Sequence, residues 1–348
     1  MVLAYILTRS PGSSMFTVID TKTHSVIAKV DIPFVDSPNN IATSPDGKMV
    51  YITVPMAVGG TVSVIDTKTH SVIANVAVGN NPNNIAISPD GKLAYVTNLN
   101  SGSVSVIDTK THTAITTINM AGAPFNIAIT PDGQLAYVVN NSQNIVSVID
   151  TKTHFVIATI RVDSASSKLA FTPDGKLAYT VDTGPGRVSV IDTKVHSVIA
   201  SIAIAGNPTN VAITPDGKLA YIIAGAFGDT PVSVIDVKTH SIIAEIPITR
   251  ANSLAISPDG TVVYLTIESG NTVPVIDVKT QSIIATIQVE NGGSIQDPID
   301  NIAFTPDGKL AYVANRIAGS VSVIDVKTHS VIATVPVDSP EVVKFIPQ

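Results

Sequence analysis

The side chains best suited to chemistry in this sequence fall into sets that differ in spacing. Seven histidines (His24, His70, His112, His154, His196, His240 and His329) occupy one place in a recurring pattern, typified by SVIDTKTHSVIA at 63–74, and Gln281 takes that place in an eighth copy. Repeated imidazoles invite a metal site, yet two histidines sharing a zinc ion need ring nitrogens within about 4 Å of each other. The five arginines, Arg9, Arg161, Arg187, Arg250 and Arg316, all stand outside the repeated motifs. A guanidinium is a planar fork for carboxylate or phosphate, so off-pattern arginines are candidates for recognising an anion. Lys168 is a third kind of break, replacing an asparagine found at Asn40, Asn84, Asn126, Asn210 and Asn301, where two further copies carry Ser253 and Val342. Fifteen of the 27 acidic residues recur in VID and PDG triplets and read as turn formers. The remaining twelve, among them Asp182, Glu268 and Glu290, are free to meet a ligand or an arginine.

The elements that carry these residues are set by the repeat itself. The VID aspartates Asp20, Asp66, Asp108, Asp150, Asp192, Asp236, Asp277 and Asp325 are 41 to 48 residues apart, a period that indicates a propeller or solenoid. One unit holds four strand patterns, NIAIS at 84–88, LAYVTN at 93–98, 104–108 and the equivalent of 71–78, with a Pro-Asp-Gly turn after the first. Val, Ile, Thr and Tyr dominate, and no helical period appears. The expected fold is all-β, an eight-bladed β-propeller of four-stranded antiparallel blades, in a single domain over 1–348 without a linker. The alanine- or valine-tyrosine step occurs eight times but the Pro-Asp-Gly turn only seven. PEVVKFIP at 340–347 matches PNNIAISP at 82–89 in length, prolines and apolar phase. The C-terminal strand should therefore join the N-terminal blade and remove an open sheet edge.

On this frame the Pro-Asp-Gly and Thr-Lys-Thr-His turns share one end of each blade, and the connections after the second and fourth strands, which differ in every copy, share the other. Binding residues concentrate on variable loops held by a rigid frame. With sheets packed about 10 Å apart, neighbouring histidine turns stand roughly 14 Å from each other, too far to share zinc, so the histidines read as structural. The variable end then carries no histidine, which argues against a Ser-His-Asp triad, a histidine metal site or an axial haem histidine there. The site candidates are Lys168, Asn84, Asn126, Asn210, Asn301, Arg9, Arg187, Arg316 and Asp182. Each has a plainer reading: the asparagines cap their own loops, and the arginines pair with acids such as Asp182 or Glu268. Lys344, where the repeat has Ala86, is a second charge on an inner strand. The longest connection, 288–300, offers Glu290, Asp297 and Asp300 to a hard cation, but its spacing fits no calcium loop and no metal is expected. Met56, Phe227, Phe34 and Phe125 give the loops apolar exposure.

The tetrad YVTN at 95–98, with SPDGK at 88–92 and SVIDTKT at 105–111, resembles the YVTN-repeat family of β-propellers found in archaeal surface-layer-type and bacterial secreted or periplasmic proteins. The resemblance spans essentially the whole chain and implies the propeller and an extracytoplasmic setting. Many members look seven-bladed, so eight blades are a departure.

Composition narrows the remaining choices. A net charge of −6 and a pI near 5.6 argue against a general grip on nucleic acid, which needs a basic stripe. No apolar run reaches the roughly 18 residues of a membrane helix, so no membrane insertion is expected. There are no cysteines, which excludes disulfides and thiolate chemistry. Met1 leads directly into a strand pattern, without a secretory signal. These features predict a monomeric, cofactor-free, non-enzymatic repeat scaffold that binds a protein, glycan or small anionic ligand at the variable end. The alternatives are a lyase, isomerase or hydrolase of a small polar substrate using Lys168, arginines and carboxylates, or a purely structural surface-layer component.

Overall fold

The computed structural model describes residues 2–8, 15–32, 38–56, 58–164, 166–184, 186–224, 231–248, 250–268, 270–290 and 301–346. These residues form eight four-stranded antiparallel sheets, the blades of an eight-bladed β-propeller, with no helix among them. No helix is therefore long and apolar enough to cross a membrane. Blade 1 combines Pro340–Ile346 with Leu3–Thr8, Met15–Asp20 and Ser25–Asp31, and blades 2 to 8 follow over 40–78, 82–119, 124–161, 166–203, 208–246, 251–288 and 302–336. The expected closure is present, with Pro340–Ile346 hydrogen-bonded beside Leu3–Thr8 at the inner edge of blade 1. The blades fall into two compact units, one containing blades 2 to 5 and the other blades 6 to 8 with blade 1.

Strand character follows position in the blade. Second strands such as Leu93–Asn98 are buried almost throughout and pack on both faces, which is why they read as continuous apolar runs. Fourth strands such as Ser71–Val78 alternate in burial, with Ser71, Ile73 and Asn75 exposed, as expected of an outer strand with one face in solvent. Blade packs on blade through these apolar faces. Tyr95, Val104, Val106 and Ile118 of blade 3 meet Ile127, Ala136, Val138 and Ile149 of blade 4 in one buried cluster. Each such side chain contributes roughly 1.5–3 kcal/mol on leaving water.

The turns explain the repeated triplets. In blade 3 the Asp90 carboxylate accepts hydrogen bonds from the Ser88 hydroxyl (2.7 Å) and the Lys92 amide (3.1 Å). Gly91 closes the turn at φ +72°, and a Cβ there would stand 3.4 Å from Pro45 of the preceding blade. Asp108 accepts the amides of Lys110 (2.9 Å) and Thr111 (2.8 Å). The two turns lie at the same end, since the Thr109 amide and hydroxyl donate to the carbonyls of Lys92 (3.0 Å) and Gly91 (2.5 Å). First strands begin earlier than the sequence suggests. In blades 3 to 7 the ladder slips between the first and third or fourth residues, a bulge that places Asn84, Asn126, Lys168, Asn210 and Ser253 inside the strand.

Two predictions follow from the fold. A chain cut after Ser339 loses the inner strand of blade 1, exposes the edge of Leu3–Thr8, and is expected to melt lower and aggregate; unchanged melting and solubility would contradict the closure. Asp90, Asp174 and Asp216 are held at about 2, chiefly by the hydroxyls of Ser88, Thr172 and Thr214. Because folding depresses these carboxyls, their stabilisation is present above about pH 4 and is lost as pH falls toward 2. Ser88→Ala should flatten part of that acid limb in a urea-denaturation series across pH.

Candidate functional site

At the turn end, the histidines are committed to the frame. All seven, and Gln281, adopt a left-handed backbone with φ between 50° and 61°. The tyrosine hydroxyl of one blade reaches the histidine turn of the next: Tyr95 lies 3.2 Å from His154 Nδ1, Tyr137 2.9 Å from His196 Nδ1, Tyr264 2.7 Å from His329 Nδ1 and Tyr312 3.2 Å from His24 Nδ1. Tyr95 also donates to the Thr151 carbonyl at 3.1 Å. Burial pushes the Tyr51 and Tyr221 phenols up to about 12 and raises Tyr95, Tyr137, Tyr264 and Tyr312 as well, so these hydroxyls stay protonated donors. Burial lowers His154, favouring the neutral ring that can accept such a bond. Among the described residues no group of three or more His, Cys, Asp or Glu is placed to hold a metal.

In blades 2 to 5, the variable end carries most of the candidates. Asn40, Asn84 and Lys168 are half-buried and Asn126 is buried, at one position of four successive inner strands. Asn40 accepts the Ile41 amide (2.7 Å), a local cap of the kind expected. The residue before it was missed: Asn39 and Asn83 donate to the Pro82 and Phe125 carbonyls of the next blade at 2.9 and 2.8 Å. Asp182 is fully buried and accepts the Ser189 hydroxyl at 2.6 Å. It stands where Asn98 and Asn140 donate to Ser105 and Ser147 at 2.9 and 3.0 Å. Arg187 pairs with Asp163 (3.7 Å) rather than Asp182, and donates to the Ser201 hydroxyl (3.0 Å), which in turn bonds Asp163. Arg161, at the end of Val156–Arg161, is exposed.

In the other unit, Asn210 and Asn301 are buried, and Asn301 accepts the Thr266 hydroxyl of the preceding blade at 2.9 Å. Arg250 lies 3.6 Å from the buried Glu268 carboxylate, as the plainer reading expected. Arg316 lies 3.2 Å from Glu341, which is 1% exposed. Glu341 occupies the position of Asn39 and Asn83, and alignment of the repeats would have marked it. Glu290 accepts a hydrogen bond from Ser320. Arg9, Phe34, Phe227, Asp297 and Asp300 lie outside the described residues. Three arginines are thus paired with carboxylates, which offsets the positive surplus that off-pattern arginines suggested.

Residues 4–115, less than half of the chain, match a family model described as the cytochrome d1 haem domain. Among solved structures, the chain resembles the hydrazine synthase of Kuenenia stuttgartiensis at 25% identity, with a TM-score of 0.66, over 83% of this chain and 95% of that one. It also resembles the dihydro-haem d1 dehydrogenase NirN, solved in complex with DHE, at 20% identity and a TM-score of 0.80, over 98% of this chain and 74% of that one. The second likeness is one of fold. No curated protein matches the sequence. These findings correct the expectation of a plain non-enzymatic repeat scaffold for a protein, glycan or small anion, because the matched family model is that of a haem domain.

The residues present answer only part of what a haem would ask. Protein donors to haem iron are His, Cys, Met or Tyr. Here cysteine is absent, every histidine stands in the turn motif, and the tyrosines are buried in the core. A histidine or thiolate ligand does not fit at the variable end. A cation such as Lys168, at the strand position that Asn84 and Asn126 hold in neighbouring blades, does fit a carboxylate side chain of a tetrapyrrole.

The Arg316–Glu341 pair yields a stability test. Arg316→Ala strands a buried carboxylate and is expected to cost about 3 kcal/mol, the low end for such a pair because the guanidinium is partly solvated. Adding Glu341→Gln should restore much of it. An unchanged urea midpoint in Arg316→Ala would show that the pair contributes nothing.

Proposed function

We propose that the protein has a haem-related function, in which the variable end of blades 2 to 5 receives a carboxylate-bearing tetrapyrrole through its periphery and not through an axial histidine. The observation that carries this reading is the haem-domain family match over 4–115, together with the absence of histidine from the variable connections. Lys168 supplies the charge for a ring carboxylate, and Asn84 and Asn126, at the same strand position of neighbouring blades, supply amides. Arg187, already held by Asp163 and Ser201, is preset in one orientation and gives a second cation in the same blade. The YVTN-repeat resemblance and an extracytoplasmic setting belong to the same proposal, supported by the motif at 95–98 and the absence of cysteine.

Titration with ferric haem and with the iron-free porphyrin, followed by absorbance, tests the reading. Peripheral recognition predicts that both bind with similar affinity. Lys168→Ala should weaken both about ten- to hundred-fold, the worth of one charge-assisted contact. No spectral change with either ring would refute a tetrapyrrole site. Binding of the iron form alone would refute the peripheral mode and reveal an axial donor.

A further inference from the structure

The turn end carries a second signal, independent of any haem. The third residue of the Thr-Lys-Thr turn and the first residue of the fourth strand normally form a hydroxyl pair. It is present at Thr23–Ser25 (2.7 Å), Thr69–Ser71 (2.8 Å), Thr111–Thr113 (2.8 Å), Thr239–Ser241 (2.8 Å), Thr280–Ser282 (2.9 Å) and Thr328–Ser330 (2.8 Å). Blades 4 and 5, successive in the chain and in one unit, are the two that lack it, and each loses a different member. Phe155 replaces the serine in blade 4, and Val195 replaces the threonine in blade 5. Both replacements point outward, Phe155 at 72% exposure and Val195 at 62%. Exposed Val156, Ile157 and Ile199 lie alongside in sequence. Two polar positions have become large apolar ones at turn tips, where neither can contribute to the core.

We infer that Phe155 and Val195 are the anchors of a peripheral docking surface for a phospholipid bilayer. Each anchor has an exposed lysine close by in its turn, Lys152 and Lys194. The carboxylates of Asp150 and Asp192 accept amides of their own turns, from Thr153 (2.7 Å) and Lys194 (2.8 Å). Lysines that pair with carboxylates are Lys29, Lys48, Lys92, Lys176, Lys218 and Lys309, and among the described residues Lys152 and Lys194 are not in that set. A long lysine stem can lie along an apolar side chain while its head reaches lipid phosphate. A second copy of the chain fits poorly, because a two-fold contact sets like patch against like patch and would bring these lysines together. A protein partner normally engages roughly 20–30 residues a side, far more than two protruding anchors offer. A bilayer interface accepts isolated apolar side chains without shape complementarity.

The test is co-sedimentation of the intact chain with mixed phosphatidylcholine–phosphatidylserine vesicles, comparing the parent with Phe155→Ser/Val195→Thr. That double variant restores the pair used by six sister blades, so it should keep its fold, as an unchanged circular-dichroism spectrum and equal or higher melting temperature will show. The parent is expected to partition to vesicles and the variant to lose at least about tenfold of that partition. Absence of the parent from the vesicle pellet overturns the inference, and so does a folded variant that binds as the parent does. A parent that is dimeric by light scattering, and that the variant returns to monomer, would assign the patch to self-association and also overturn it.

Discussion

The structure depends on a buried tyrosine in the second strand of each blade, whose hydroxyl, at Tyr51, Tyr95, Tyr137, Tyr264 and Tyr312, lies within hydrogen-bond reach of the turn of the next. Phenol is a large apolar body with one polar tip, so it can fill an interior between sheets only where that tip finds a partner. The Thr-Lys-Thr-His turn supplies one through a backbone carbonyl and an imidazole nitrogen, as at Tyr95 with Thr151 and His154. This one contact accounts for several features together. It ties one sheet to the next through a turn residue in the left-handed region, and it gives the recurring histidine a structural task at a place remote from the variable loops. The turn aspartates serve the same joint, since Asp150 accepts the amides that shape the turn holding His154.

The fold was legible because a repeat states each constraint many times over. Alternation in 71–78, the continuous apolar run of 93–98 and the Pro-Asp-Gly punctuation each recur often enough to outweigh local ambiguity, and the match between 340–347 and 82–89 disclosed the closure. The site was less legible, for physical reasons that particular residues illustrate. Asp182 read as a ligand candidate or an arginine partner because it is off-pattern, yet it replaces a buried asparagine and keeps that residue's bond to serine. Arg187 was visible, but its partner Asp163 sits in the connection before the blade, and pairing across a turn leaves no sequence spacing to read. Asn39 and Asn83 matter through a carbonyl on the next blade, a contact decided by sheet packing rather than by neighbours in the chain. The haem-domain match had no short motif to announce it, since a histidine among the variable loops is missing, and it lies in the pattern of residues 4–115 as a whole.

Near-identical repeats also serve as internal controls. Where seven copies agree and one departs, the common residue shows what the frame needs, and the departure must be explained by something else. Ser25, Ser71, Ser241, Ser282 and Ser330 show that a small hydroxyl satisfies the turn, so the ring of Phe155 answers no demand of folding. The same comparison separates the charged departures. Arg250 and Arg316 stand beside buried glutamates that would be costly without them, which makes them structural in the first instance. Lys168 is different, because asparagine fills its position in five sister strands and the frame plainly does not need an amine there.

That contrast bears on how the proposed tetrapyrrole site can work without a histidine to spare. Iron coordination requires a donor aimed at one point, and here every imidazole stands in a turn at the opposite end of the blades, with His24, His154, His196 and His329 within 3.2 Å of a tyrosine hydroxyl. Releasing His154 or His196 would take a partner from a buried phenol at the joint between two sheets. What remains at the variable end includes amides, guanidinium groups, the thioethers of Met56 and Met120 and one off-pattern amine. The amides and cations among them recognise carboxylates and hydrogen-bonding edges, and a rigid mount reduces the entropy lost when they do. A frame that spends histidines on its own joints is consistent with the proposed reading, in which a tetrapyrrole is recognised at the ring's edge.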